Sequence, residues 1–231
     1  AIGGGGVIAL IALTAIFADR IAPYTLRDYD PQAFMVPPGS PGHLLGTDDL
    51  GRDVFTRVIH AARISLRIGL VAVLIGATGG TVVGLIAGFF GGRIDWGISR
   101  ILDVMLAFPG VLLAIVIVSS LGPGLTNAMI ALGVSGIPYY ARVVRGSTLA
   151  ARELVYVRAA RALGMTEFRI MFRHVLPNIV SPIVIMVTLG MATSIIAAAG
   201  LSFLGLGAVP PTPEWGLELS VSTRLLRVAP W

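Results

Sequence analysis

The chain contains no cysteine and no lysine. Without cysteine it can form no disulfide, no thiolate metal site and no thiol nucleophile, and its redox compartment cannot be read. Without lysine, all 17 basic residues are arginines, which hold their charge permanently, so no side chain can act as an amine base or form a Schiff base. A phosphate-binding GxxxxGK[ST] loop is excluded for the same reason, and with it ATP binding of that kind by this chain. Charge of either sign is scarce: 13% of the 231 residues are charged against 55% hydrophobic, and the mean hydropathy is +0.88. So few charged groups cannot cover a soluble globule of this size, and the composition is that of an integral membrane protein built from helices.

The charge that is present sits in four places. Residues 19–67 carry six Arg and six Asp, residues 93–103 two Arg and two Asp, and residues 202–231 two Arg and two Glu. Residues 142–173 carry seven Arg and only two Glu, so the whole net charge of +5 arises there. A concentrated basic loop beside apolar spans reads as cytoplasmic under the positive-inside rule. This placement, rather than the basic isoelectric point, decides against a nucleic-acid partner and in favour of membrane lipid.

Between the charged stretches lie the apolar runs. Ala1–Ala18 reads as the outer part of a first membrane helix whose start lies upstream, because no cleavage site follows it. Ile68–Gly92 is 25 uncharged residues, enough to span about 30 Å of hydrocarbon. Within it Gly76, Gly80, Gly84, Gly88 and Gly92 recur at every fourth position, a stripe that lets helix backbones touch, inside one subunit or between two. Val104–Ala141 is too long for one span and is divided by Gly122-Pro123-Gly124, with kinks expected at Pro109 and Pro138. Arg100 and Asp103, one turn apart, are expected to neutralise each other. Val175 to about Gly200 gives a fifth span. The expected fold is therefore all-α, a polytopic bundle with five spans in residues 1–231 and a sixth beyond Trp231, forming one transmembrane domain.

Two loops carry motifs. Residues 19–67 hold five prolines and a short helix expected near Val54–Arg67. Asp48, Asp49 and Asp53 lack the alternating spacing of a calcium loop and have Arg52 among them, so they read as local pairs at glycine turns and not as a metal site. The second loop, residues 152–174, reads helix, break, helix. Good helix formers run from Arg152 to Leu163, Gly164 stops them, Thr166 is placed to cap the next helix with Glu167 in its first turn, and Pro177 ends or bends that one. Two short helices meeting at a glycine, with an alanine patch that another backbone can approach, form a docking shape.

The string YVRAARALGMTEFRIMFRHVLPN resembles the EAA loop of ABC-importer permeases, and its peptide and nickel branch in particular. There Glu-Ala-Ala is followed by Gly and then by Leu-Pro. HLLGTDDLGRDVFTR and LSFLGLGAVPPTPEWG are similar to further strings of that branch, so the resemblance spans most of Leu44–Trp231 in order, closest to its second permease subunit. It implies a type I importer permease fold and a multi-pass subunit of the cell (inner) membrane. It also implies alternating access for a peptide-like solute delivered by an extracytoplasmic binding protein, with a second permease subunit and two ATP-binding subunits as partners. The subunit itself would be neither an enzyme nor dependent on a cofactor. The ATPase-coupling residues it implies are Arg158, Ala159, Ala160, Leu163, Gly164, Met165, Leu176 and Pro177. Arg158 stands where the family usually has Glu, which puts any contact made through that acid in question. Residues 19–67 and 202–231 would then be extracytoplasmic.

Two rivals come from other classes. Gly133-Val134-Ser135-Gly136 matches the GxSG of intramembrane serine proteases. No histidine is placed to serve as base, since His43 and His60 precede the second span and His174 sits at a membrane edge. An ion channel would show charged rings or a carbonyl filter, and neither is present.

Overall fold

The computed structural model describes residues 2–231; Ala1, where the expected single domain begins, lies outside the described residues. Helices α1 (Ile2–Ile16), α2 (Ala18–Ile21), α3 (Val54–Phe90), α4 (Gly92–Leu106), α5 (Gly110–Leu121), α6 (Leu125–Arg152), α7 (Val155–Ala162) and α8 (Glu167–Ile170) come first. A π-helical turn (Met171–Val175) and a 3-10 turn (Leu176–Ile179) then lead into α9 (Val180–Phe203), and α10 (Trp215–Ser222) closes the order. No strand occurs among the described residues.

Several elements differ from the sequence-based expectation. The short helix near Val54–Arg67 and the span Ile68–Gly92 are one 37-residue helix, α3. Nothing between them breaks it: the stretch has no proline, and its glycines sit where a neighbouring helix packs. Pro109 does more than kink its helix. The chain leaves α4 at Leu106 and resumes in α5 at an angle of 90°, because the proline lacks an amide hydrogen and disfavours a helical residue before it. Pro138, by contrast, is carried inside an unbroken 28-residue α6. The division at Gly122-Pro123-Gly124 is where the sequence places it.

Two helical runs are long and apolar enough to cross a membrane, Val54–Phe90 and Glu167–Phe203, and the bent pair α4–α5 gives a third when taken as one span. The other two expected spans are not of that kind. The apolar stretch Gly5–Ile16 is short, and α6 carries Arg142, Arg145 and Arg152 in its second half, leaving an uncharged part of about 25 Å at 1.5 Å per residue.

The chain divides into two compact units. One gathers the residues up to Ile68 with Gly122–Leu125 and Ala198–Trp231. In it Arg57 of α3 grips Glu218 of α10 through Nε (3.1 Å) and Nη2 (2.5 Å). Glu214 is wholly buried, accepting from the Leu217 amide (3.0 Å) as the cap of α10 and from the Ser65 hydroxyl (3.2 Å). Two of the three acids considered for a metal are engaged locally, and the buried Asp49 Oδ1 has no hydrogen-bond partner among the described residues. Asp48 pairs with Arg52 at 2.6 Å, and Asp53 accepts from the Thr56 amide (2.7 Å) at the start of α3 while bonding His43 (3.0 Å). Gly51 adopts a positive φ of 72° where a Cβ would overlap the Asp30 carbonyl, so the turn needs glycine. Asp19 bonds Arg63 (3.0 Å), and that hydrogen bond holds its carboxyl below the usual carboxylate range.

The other unit holds Gly69–Leu121 and Thr126–Ala197. The glycine stripe of α3 lies along α6. A Cβ at Gly76 would stand 3.2 Å from the Gly133 carbonyl, and one at Gly88 would stand 2.7 Å from that of Arg145. At Gly80 and Gly84 it would overlap Tyr140 and the Ala141 carbonyl. At Gly92, the fifth of the spacing, a Cβ would meet nothing within 4 Å, and the residue serves instead in a positive-φ turn (55°). Asp103 pairs with Arg142 of α6 at 2.7 Å and not with Arg100, since α3 lies along α6 and the positive-φ turn at Gly91-Gly92 leads from its end into α4. Asp95 is likewise held by Arg145.

Candidate functional site: the loop between α6 and α9

The loop is anchored before it begins. Arg152, the last residue of α6, donates through Nη1 to the carbonyls of Gly88 (2.9 Å) and Phe89 (3.3 Å), filling acceptors left open at the C-terminal end of α3. The expected helix from Arg152 is thereby displaced: Arg152 belongs to α6, the chain breaks at Glu153-Leu154, and α7 starts at Val155.

One face of the loop is core. Val157 and Ala160 of α7 pack with Ile170, Met171, Val175 and Ile179 against Leu85 and Phe89 of α3 and Val144 and Ala151 of α6, with Met165 and Leu176 half-buried beside them. Met171 and Val175, four residues apart in the π-helical turn, both face inward. Pro177 does not end the helical path. It sits at the start of a 3-10 turn, where its missing amide hydrogen costs nothing, and the path runs on into α9.

The turn between α7 and α8 is built by Gly164 at φ 80°, with its amide bonded to the Arg161 carbonyl (3.0 Å) and the Met165 amide to the Ala160 carbonyl (3.2 Å). A Cβ at Gly164 would meet nothing within 4 Å, so glycine is required there by backbone conformation and not by crowding inside this chain. Thr166 takes the extended cap conformation, but its side chain makes no capping bond. The Arg161–Glu167 pair clamps the turn instead, through two bonds of 2.8 and 2.9 Å, and this bonding raises the pKa of the guanidinium further above its usual value.

The other face is open. Leu163 is 84% exposed and Val155 75%, followed by Phe168 at 65% and Phe172 at 56%. Arg158, Ala159, Gly164 and Pro177 are exposed with them, while Ala160 is buried and Met165 and Leu176 turn toward the core. The alanine pair is thus split between the two faces. Among the described residues Arg158 has no ion-pair partner. Val155, Phe168 and Phe172 escaped the motif-based reading, although their hydrophobicity in a segment too charged to enter the bilayer was the available signal. As for the GxSG string, the Ser135 hydroxyl donates to the Leu132 carbonyl of its own helix at 3.0 Å.

Residues 80–229 match the family described as binding-protein-dependent transport system inner membrane component. The dipeptide transport system permease protein DppC of Alkalihalophilus pseudofirmus is 47% identical over 231 residues, covering 100% of this chain and 76% of that protein. The glutathione transport system permease protein GsiD of Pectobacterium atrosepticum is 43% identical over 230 residues, with the same two coverages. Among solved structures, the inward-facing MetNI methionine ABC transporter in its native crystal form aligns with a TM-score of 0.59 at 20% identity, over 76% of this chain and 90% of that one. Its selenomethionine-soak form gives 0.56 at 23%, over 66% and 76%. At these identities the likeness to MetNI carries the fold.

Proposed function

Because this chain belongs to the family of binding-protein-dependent transport inner-membrane components, we propose that it forms half of a path through which a peptide-like solute is imported. It is a permease subunit of an ABC importer, a non-enzymatic component of the inner membrane, and an ATPase and a binding protein are its partners. A second permease subunit would complete the path, and two ATP-binding subunits would drive it. The relatives transport dipeptide and glutathione by name, which supports a small peptide as cargo.

The observation that carries the coupling is the two-faced loop. Its inner face is welded to α3 and α6, while Val155, Leu163, Phe168, Phe172 and Arg158 are exposed. A monomeric soluble surface would not keep so many large apolar residues together in water, so the face is read as docked on the ATPase. Motion of the ATPase would then reach α3, α6 and α9 without slack, because the base of the loop is core. In this reading residues 152–174 are cytoplasmic, residues 19–67 and 202–231 are extracytoplasmic, and solute passes by alternating access. The protease reading is set aside, since the relatives are permeases and the Ser135 hydroxyl is bonded within its helix.

The test is reconstitution with the second permease, the ATPase and the binding protein in vesicles, followed by uptake of labelled dialanine. ATP-dependent accumulation supports the reading. Absence of both accumulation and ATPase association would overturn it.

A further inference from the structure

The second unit contains a cavity of about 460 Å³ walled by α5, α6 and α9, within the range of about 300–1,000 Å³ usual for small-molecule sites. No charged side chain lines it. Five hydroxyls do: Ser135, Tyr139 and Tyr140 from α6, and Thr193 and Ser194 from α9. The rest of the wall is apolar, so these hydroxyls are its polar points.

The direction of their hydrogens is informative. Ser135 donates to the Leu132 carbonyl (3.0 Å), Tyr140 to that of Met186 (3.3 Å) and Thr193 to that of Gly190 (3.1 Å). Each of these three has used its one hydrogen on the backbone and can offer a guest only oxygen lone pairs. Tyr139 and Ser194 make no hydrogen bond among the described residues, so they remain able to donate. The wall therefore presents acceptors for N–H groups and two donors for a carbonyl or carboxylate, with no formal charge to hold either tightly.

We propose that this cavity is where the subunit holds its solute in transit, and that it is matched to a small zwitterionic peptide, whose amide and ammonium hydrogens meet Ser135, Tyr140 and Thr193 and whose carboxylate meets Tyr139 and Ser194. The absence of charge lets a peptide pass without being trapped, because a buried ion pair with the wall would have to be broken at release. Selection by side chain is then left to the binding protein, while the cavity reads the peptide backbone. This rests on the importer reading above.

The absence of native cysteine makes the test direct. Ser194→Cys, Tyr139→Cys and, outside the cavity on α9, Val184→Cys are introduced singly and assembled with the second permease, the ATPase and the binding protein. Each complex is exposed to a charged, water-soluble methanethiosulfonate and, separately, to lipid-soluble N-phenylmaleimide. The cavity thiols should react with the charged reagent, Val184→Cys should not, and millimolar dialanine should abolish the reaction at Ser194→Cys. Reaction of the cavity thiols with the maleimide alone means a lipid-facing groove, and reaction with neither means a face covered by the second permease; either overturns the proposal. So does reaction that dialanine leaves unchanged. Undiminished co-purification of the ATPase and an unshifted heat-denaturation midpoint show that the cysteine variants fold, and folded variants with unprotected thiols remove the cavity while leaving the importer reading in place. Loss of dialanine uptake by the unsubstituted complex would count against the importer reading itself.

Discussion

The Tyr140 hydroxyl of α6 lies against Gly190 of α9, so closely that a Cβ on Gly190 would overlap it, while donating to the Met186 carbonyl one turn away at 3.3 Å. The same side chain packs on Val73 and Ala77 of α3. One tyrosine thus ties together the three helices that the loop between α6 and α9 is built on.

Gly190→Ala should therefore destabilise the protein by about 1–3 kcal/mol, as overpacking of a tight contact does. Tyr140→Phe alone should cost about 0.5–1.5 kcal/mol through the lost hydrogen bond. Combined with Gly190→Ala it should recover much of the loss, since the overlapping oxygen is gone. Heat-denaturation midpoints of the detergent-solubilised variants form the cycle, and additive effects would show that the two residues do not meet.

The glycines of α3 and α6 are not equivalent. Gly84→Ala pushes a methyl into the Ala141 carbonyl, a backbone atom that cannot swing aside, and should cost about 1–3 kcal/mol. Gly146→Ala, in the interior of α6 with nothing within 4 Å, should stabilise by about 0.5–1 kcal/mol through helix propensity and a less free unfolded chain. Equal midpoint shifts for the two would contradict the observed packing.

At Gly164 the chain has room but not the right backbone angle. Asparagine tolerates positive φ, so Gly164→Asn should keep the turn and most of the ATPase association. Gly164→Trp adds bulk on the open face and should weaken that association tenfold or more, the effect of about 1.4 kcal/mol, while the permease still inserts. Arg158→Glu restores the acid usual in the family; if the partner groove is acidic, binding should fall and its salt dependence should weaken. Co-purification of the ATPase reports each, and full retention with Gly164→Trp would leave the loop a solvated connector.

Orientation is checked with single cysteines at Asp30 and Thr166. An impermeant thiol reagent should reach Asp30→Cys from outside intact cells and Thr166→Cys only after lysis. Labelling of both from one side would reverse or refute the proposed topology.

Much of the loop was readable because its determinants are local. Gly164 is forced by a helix end, but the inner face was not legible: Val155, Ala159, Ala162 and Leu163 recur at helical spacing and are exposed, while Val157 and Ala160 are the buried pair of α7. What escaped reading depends on partners far along the chain. Asp103 had Arg100 beside it in sequence, yet it meets Arg142 of α6, a partner 39 residues further along the chain. Arg152 looked like the first residue of the loop, and its tie to the Gly88 carbonyl is set by where α3 ends. Glu214 reads as an ordinary loop acid until Ser65 is brought to it by folding. Continuity of α3 was hidden because charge and hydropathy change at Arg67 while nothing in the backbone does.

The open face of the loop bears on the life of the subunit before assembly. Leu163, Val155, Phe168 and Phe172 are the kind of surface that chaperones and quality-control proteases recognise. A copy made in excess of its ATPase would carry that mark continuously, and docking would erase it. If they dock on the ATPase as proposed, these side chains would also set the stoichiometry of assembly, by shortening the half-life of any permease left without a partner.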